Sequence, residues 1–282
     1  MVLDHAGIAQ AIARLEPLPA TAGRLATLLS REDWQLKDVE EAIALDQALT
    51  PRLLGLANSA LFSAGREFGT VRDAVMRLGA QQLVQVAMSV GMRRRLTGAL
   101  PQYGLSDGQL WAHSVAAALA AQVLASRRRG LVPPEAFTAA LMHDVGKLVL
   151  ARFLDPERVQ ALRRAHQAGT PLRLAELELL GIEHAEISAA VLQHWKLPER
   201  LRVAVQHHHT PSDSDEPLAS AVHVADIVGH RAQVEVIGAR GREVDVEADP
   251  IALDRLGLAR DELDDCVVTV GNELADVLRR YA

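Results

Sequence analysis

Ala139-Ala140-Leu141-Met142-His143-Asp144-Val145-Gly146-Lys147-Leu148-Val149-Leu150 puts an imidazole, a carboxylate and an ammonium into an otherwise apolar run. Pro133-Pro134-Glu135 reads as the start of a helix that carries this run through to Phe153. Adjacent His and Asp can both reach one divalent ion, and Lys147 lies one helical turn after His143, near the same face. Burying such groups among Leu, Met and Val is costly unless the charges are paired or coordinated, so partners are required from elsewhere in the chain. A lone His-Asp dipeptide in a helix reads more often as a hydrogen-bonded structural pair. The other histidines decide between the two readings.

Working outward, the 282 residues are 49% hydrophobic but only 3% aromatic. Leu, Ala, Val and Arg dominate, a composition of packed helices with an aliphatic core, and the expected fold is all-α in two lobes, residues 1–100 and 101–282. The net charge of -6 gives no overall field for DNA or an anionic membrane, so nucleic acid is not favoured as a partner. A single cysteine, Cys266, excludes an intrachain disulfide framework and fits a reducing compartment. Neither a signal peptide pattern nor a run of ~18 apolar residues is found, and a soluble cytoplasmic protein is expected.

Helical patterns recur closely along the chain. Glu16-Pro17-Leu18-Pro19 closes a first helix, and Leu25, Val39, Ile43, Leu54 and Val75 mark the inner faces of those that follow, up to Arg93-Arg94-Arg95, whose charge complements a helix C-terminus. After Pro101-Gln102-Tyr103-Gly104, a long alanine-rich helix runs from Gln109 through Ser126 with Trp111 and His113. Helices over 155–168, 172–180, from His184 onward, up to Gln206 and over 218–228 follow. Val234, Val236, Val244 and Val246 hint at a short hairpin around Gly238 and Gly241. A helix pair over 253–258 and 263–280 closes the chain.

One inward polar group per helix emerges: His113, the His143-Asp144 pair, His184, His208 with His209, and Asp226. That is how a metal centre is assembled from facing helices. Imidazole nitrogen and carboxylate oxygen suit Fe, Mn, Zn or Ni better than Mg. His223 is read as a ligand or a residue hydrogen-bonded to one; His5, His166, His194, His207 and His230 are read as surface residues, and the three tryptophans as packing anchors.

The order His, His-Asp, His, His-His, Asp resembles the HD superfamily of metal-dependent phosphohydrolases. The whole chain resembles more closely the HDOD family, the HD-related output domains of bacterial signalling. The stretches carrying that likeness are Leu18-Pro19, residues 44–50, Leu56-Ala57-Asn58-Ser59-Ala60-Leu61-Phe62, Ala74-Val75-Met76-Arg77-Leu78-Gly79, Trp111-Ala112-His113-Ser114, the central run, Trp195-Lys196-Leu197-Pro198 and His208-His209-Thr210-Pro211. Coverage is about residues 10–230.

The resemblance implies a regulatory domain acting through signalling protein partners or a phosphate-containing small ligand. The alternative it implies is a phosphohydrolase acting on a cyclic nucleotide. His113, His143, Asp144, His184, His208, His209 and Asp226 would then hold one or two divalent ions, with Asp144 bridging them and Lys147 gripping phosphate. The Gly-Tyr-Pro segment of the HD-GYP branch is absent, Ser212-Asp213-Ser214-Asp215 standing in its place, and Gln109 replaces an additional carboxylate ligand. Both departures argue against a third metal and a cyclic-dinucleotide pocket.

Overall fold

The computed structural model describes residues 3–18, 20–29, 35–44, 50–51, 54, 69–238 and 247–281. Among these, helices follow one another as expected of an all-α chain; no strand occurs, only an isolated antiparallel bridge between Leu100 and Leu105. No described helix is long and apolar enough to cross a membrane. Most of the stretches 44–50 and 56–62 that carry part of the family likeness lie outside the described residues, as do Trp34 and the side chain of His5.

The chain forms two compact units, one of residues 1–15, 96–194 and 199–282, the other of 16–95 with 195–198. Helix α1 (His5–Ala13) belongs to the larger unit and starts where the Asp4 carboxylate accepts the Ala6 N–H at 3.2 Å. The smaller unit contains α2 (Ala20–Leu29), α3 (Leu36–Ala44), α4 (Val71–Leu78) and α5 (Ala80–Leu96). Leu25, Val39, Ile43, Val75, Met88 and Met92 are buried, and Thr70 caps α4 by accepting the Asp73 N–H at 3.1 Å. Arg95, from the basic end of α5, donates to the Glu16 carbonyl at 3.2 Å and lies over the Trp195 ring at 5.9 Å.

In the larger unit α6 (Gln109–Arg127) is the central element, and nearly all its residues from Leu110 to Leu124 are buried. Around it come α7 (Ala136–Met142), the single turn α8 (Lys147–Leu150), α9 (Pro156–Gln167), α10 (Leu172–Leu180), α11 (His184–His194), α12 (Glu199–Gln206) and α13 (Pro217–Ile237). The helices α14 (Pro250–Arg255) and α15 (Glu262–Tyr281) complete it. Gly229 of α13 sits so close to α6 that a Cβ there would lie 2.4 Å from the Ala117 nitrogen. Alanine and glycine let the two backbones touch, and this contact fixes His113 and Asp226 one turn away on the same two helices.

Two expectations need correction. The helix through the central run is not continuous: residues 143–146 form turns between α7 and α8. Gly146 is pressed against α11, where a Cβ would come within 2.2 Å of the His184 carbonyl, and its N–H donates to Ser188 Oγ at 2.8 Å. That N–H bonds across to another helix instead of back along its own. The hairpin is also absent where it can be checked: Val234 and Val236 lie in the last turn of α13, which Gly238 ends in the left-handed conformation. Val244 and Val246 lie outside the described residues.

Candidate metal centre

The break between α7 and α8 turns His143 and Asp144 inward, both about 1% exposed. His113 Nε2 lies 3.2 Å from His143 Nε2, 3.4 Å from Asp144 Oδ2 and 3.1 Å from Asp226 Oδ1. His143 Nε2 is 3.5 Å from Asp144 Oδ2 and 3.4 Å from Asp226 Oδ1. The other oxygen of Asp144, Oδ1, faces His184 Nε2 at 3.2 Å, and that nitrogen faces His209 Nε2 at 2.9 Å. The His208 and His209 rings lie with centroids 3.9 Å apart and planes tilted by 40°. All seven residues singled out as donors thus meet in one volume. Among the described residues, three overlapping triplets have candidate ligand atoms within 4.8 Å of one another: His113 with His143 and Asp144, His143 with His208 and Asp226, and His184 with His208 and His209.

Asp144 Oδ2 also accepts from Lys147 Nζ at 2.7 Å, so the lysine is paired with a donor rather than standing free for a ligand. Burial opposes ionisation of Asp144, but Lys147, His143 and His184 outweigh it and hold the carboxyl well below the usual range. Asp226 is likewise held well below it against burial, chiefly by His143 and His113. Burial presses His184 towards neutrality, yet the Glu176 carboxylate and Asp144 push it up to about 10. His143 is raised against burial by Asp144 and Asp226. Burial, reinforced by neighbouring imidazoles, pushes His208 and His209 well below the ordinary histidine value.

The donor set fits a cation on its own chemistry. His143 and His208 give Nδ1 to the carbonyls of Ala140 and Val205 at 2.6 and 2.7 Å, which leaves each Nε2 with a lone pair directed at the cluster. His208 Nε2 is buried with no hydrogen-bond partner, and no donor is aligned on Asp226 Oδ1 despite its close imidazole neighbours. Buried polar atoms without partners are rare in proteins; others occur here, at Glu40, Trp111 and Trp195 for example, but those of His208 and Asp226 belong to one triplet of candidate ligands.

Among the described residues, at least two clefts reach the cluster. One, of about 390 Å³, is lined by Tyr103, Gln109, His113, Asp144, Lys147, Arg163 and His166; the other, of about 430 Å³, by Arg173, His184, His209, Asp226, Arg231 and Arg260. His230, read as a surface residue, lines both and has its ring centroid 6.0 Å from that of His113. His166 lines the first cleft, while His194 is exposed. His223 is not a donor to the cluster: Nδ1 engages the His208 carbonyl at 2.7 Å and Nε2 accepts the Asp249 N–H at 2.9 Å. Gln109, the first residue of α6, accepts the N–H of Ser106 in the preceding loop with its Oε1 at 2.6 Å.

Sequence reasoning missed Glu176 and Tyr103. Glu176 is fully buried; its Oε2 accepts both the backbone N–H and Nδ1 of His184, at 2.8 and 2.6 Å, and its Oε1 accepts from the Tyr103 hydroxyl at 2.8 Å.

Fold and cluster together define an all-helical protein with a buried histidine and aspartate centre of metal-ligand geometry. The chain belongs to the HDOD family: the HDOD domain model matches residues 15–211. Asp226 lies beyond the matched range. Among solved structures, the chain is similar to an HDOD domain protein of unknown function from Geobacter sulfurreducens, with 25% identity, a TM-score of 0.71, and coverage of 95% of this chain and 96% of that one. It is similar as well to a protein of Shewanella amazonensis SB2B named provisionally as a phosphohydrolase, with 28% identity, a TM-score of 0.68, and 96% and 97% coverage. An uncharacterized protein of Treponema pallidum (strain Nichols) is 28% identical over 227 residues; the match covers 79% of this chain and 43% of that protein's length.

Proposed function

We propose that this chain is a cytoplasmic signalling protein that holds one or two divalent ions, Fe, Mn, Zn or Ni, in its histidine and aspartate centre. There it takes up a phosphate-containing small ligand and passes its state to partner proteins. The observation that carries the reading is the division of Asp144: one oxygen faces His113 and His143, the other His184, so a single carboxylate joins two groups of donors. Nitrogen and oxygen donors without a thiol suit those ions. A cleft of about 390 Å³ is the size of small-ligand sites, and Arg163 and His166 on its lining suit an anion, with Lys147 beside them paired to Asp144. His113, His143, Asp144 and Asp226 would hold one ion, and Asp144, His184, His208 and His209 the other.

A second reading, turnover of a phosphoester such as a cyclic nucleotide, is favoured by the completeness of the donor set and its access to a cleft. Bound ions would supply Lewis acidity and an activated water. The residues of the chain would orient the ester: Arg163 and His166 at the cleft lining, with Lys147 joining them once an ion replaces it as the partner of Asp144.

Metal analysis of protein expressed with added Mn or Fe, followed by assays on cyclic mono- and dinucleotides, separates the readings. Intact metal and ligand-induced thermal stabilisation without product support the regulator. Product abolished by Asp144→Ala supports the enzyme. Protein that takes up no ion contradicts both.

A further inference from the structure

A histidine that binds a cation through Nε2 carries its proton on Nδ1, and some acceptor has to hold that proton in place. His143 and His208 use backbone carbonyls for this, at 2.6 and 2.7 Å. His184 uses a carboxylate. Glu176 Oε2 receives its Nδ1 at 2.6 Å and its backbone N–H at 2.8 Å, so one oxygen fixes both the ring and the first residue of α11. The opposite oxygen is held by the Tyr103 hydroxyl at 2.8 Å.

A fully buried carboxylate is costly for a fold, and an apolar side chain would fill the same space more cheaply. Every partner of Glu176 described above leads either to His184 or to Tyr103, which lines the first cleft. Helix packing alone gives no reason for a charge at this position.

We propose that Glu176 is a positioning residue for the metal centre: it holds His184 with Nε2 turned towards Asp144 and His209 and strengthens that nitrogen as a ligand, while Tyr103 braces the carboxylate from the cleft side. The inference rests on the metal reading of the site. A carboxylate acceptor makes an imidazole a better donor than a carbonyl does, so the charge of Glu176, and not only its shape, sets the affinity of the His184 side of the cluster.

The test is Glu176→Gln, in which the amide oxygen can still face His184 and the amide nitrogen can face the Tyr103 oxygen, so shape is kept and charge removed. Mn(II) affinity is measured by competition with a chelating dye, Co(II) loading by its visible spectrum, and the metal-free melting temperature alongside. The expected result is a near-native metal-free melt with affinity for the weaker-held ion reduced about 10–100-fold and an altered Co(II) spectrum. Wild-type affinity and spectrum in a folded Glu176→Gln protein would overturn the proposal. Should that variant not fold, Tyr103→Phe decides: weaker Mn(II) binding supports the role and unchanged binding removes it. Leu180→Ala, a buried change on the same helix away from these hydrogen bonds, is expected to lower the melting temperature while leaving affinity per folded molecule unchanged. Wild-type protein that binds no ion refutes the metal reading itself, and this inference with it.

Discussion

Gly229 of α13 and Ala117 of α6 touch backbone to backbone, and this contact sets the distance at which His113 Nε2 meets Asp226 Oδ1, 3.1 Å. The atoms that a Cβ at residue 229 would meet are main chain, which cannot swing aside. Gly229→Ala is therefore expected to force the two helices apart, at a cost of about 1–3 kcal/mol. A lowered melting temperature together with reduced metal uptake per folded molecule is the expected result. Unchanged values for both would show that the contact does not set the site.

Asp144 is surrounded by positive or proton-bearing partners, Lys147 closest at 2.7 Å. Asp144→Ala is expected to empty the centre of metal and to leave Lys147 buried without its carboxylate, a loss of roughly 3–5 kcal/mol for a broken buried pair. The double variant Asp144→Ala with Lys147→Met removes that stranded charge. Thermal denaturation is expected to show it melting above the single variant, while metal analysis finds neither loaded.

That these seven residues meet in one volume was foreshadowed in the sequence, because His113, His184 and Asp226 interrupt helical apolar or small-residue patterns and His143-Asp144 an apolar run, while His208 and His209 stood out only by their place at a helix end. Glu176 was not. Helix α10 reads as leucine-rich, and its leucines suggest the inner face, yet Leu174 is exposed and Glu176 buried. A carboxylate there resembles ordinary solvated charge until its partner, eight residues on, is seen. The break at Gly146 escaped for a related reason: it comes from contact with α11, which no local propensity records. The valines at 234 and 236 misled because β-branched residues favour strands on average, whereas their neighbours extend α13.

Under the proposed metal reading, an ion and a proton compete for His184. Its folded pKa, pushed up to about 10, lies above the unfolded value near 6.5, so its contribution to metal-free stability is complete below the lower value and is lost as pH rises through the upper. An ion binding to Nε2 displaces that proton. The apparent Mn(II) affinity is therefore expected to climb with pH across this window, approaching tenfold per unit for one displaced proton. Dye-competition titrations at pH 7, 8 and 9 measure the slope; a flat line would show that His184 is not a ligand.

On the acid side the order reverses. His208 and His209 are held neutral by burial, and Asp144 and Asp226 ionised by their partners, all with folded values below the unfolded ones. The stability these groups contribute is present above the unfolded values and is lost as pH falls, through the histidines first, below about 6.5, then through the carboxylates below about 4. Melting temperatures of metal-free protein from pH 7 to 4 are expected to decline in that order.

His208 separates the cost of burying an imidazole from the gain of binding an ion. Its Nε2 is buried with no protein partner, so the metal-free protein bears a desolvation penalty there that a bound cation would offset. A ligand bound to the folded state alone stabilises it by about 2.7 kcal/mol at a hundredfold excess over its Kd. His208→Leu removes the stranded nitrogen but also the hydrogen bond to the Val205 carbonyl, which α12 leaves near its C-terminal end. The two effects oppose each other, so the metal-free melting temperature is expected to stay within a few degrees of wild type. The rise on adding Mn(II) is expected to shrink or vanish in the variant. A full metal-induced rise in His208→Leu would remove this histidine from the ligand set while leaving the ions themselves in place.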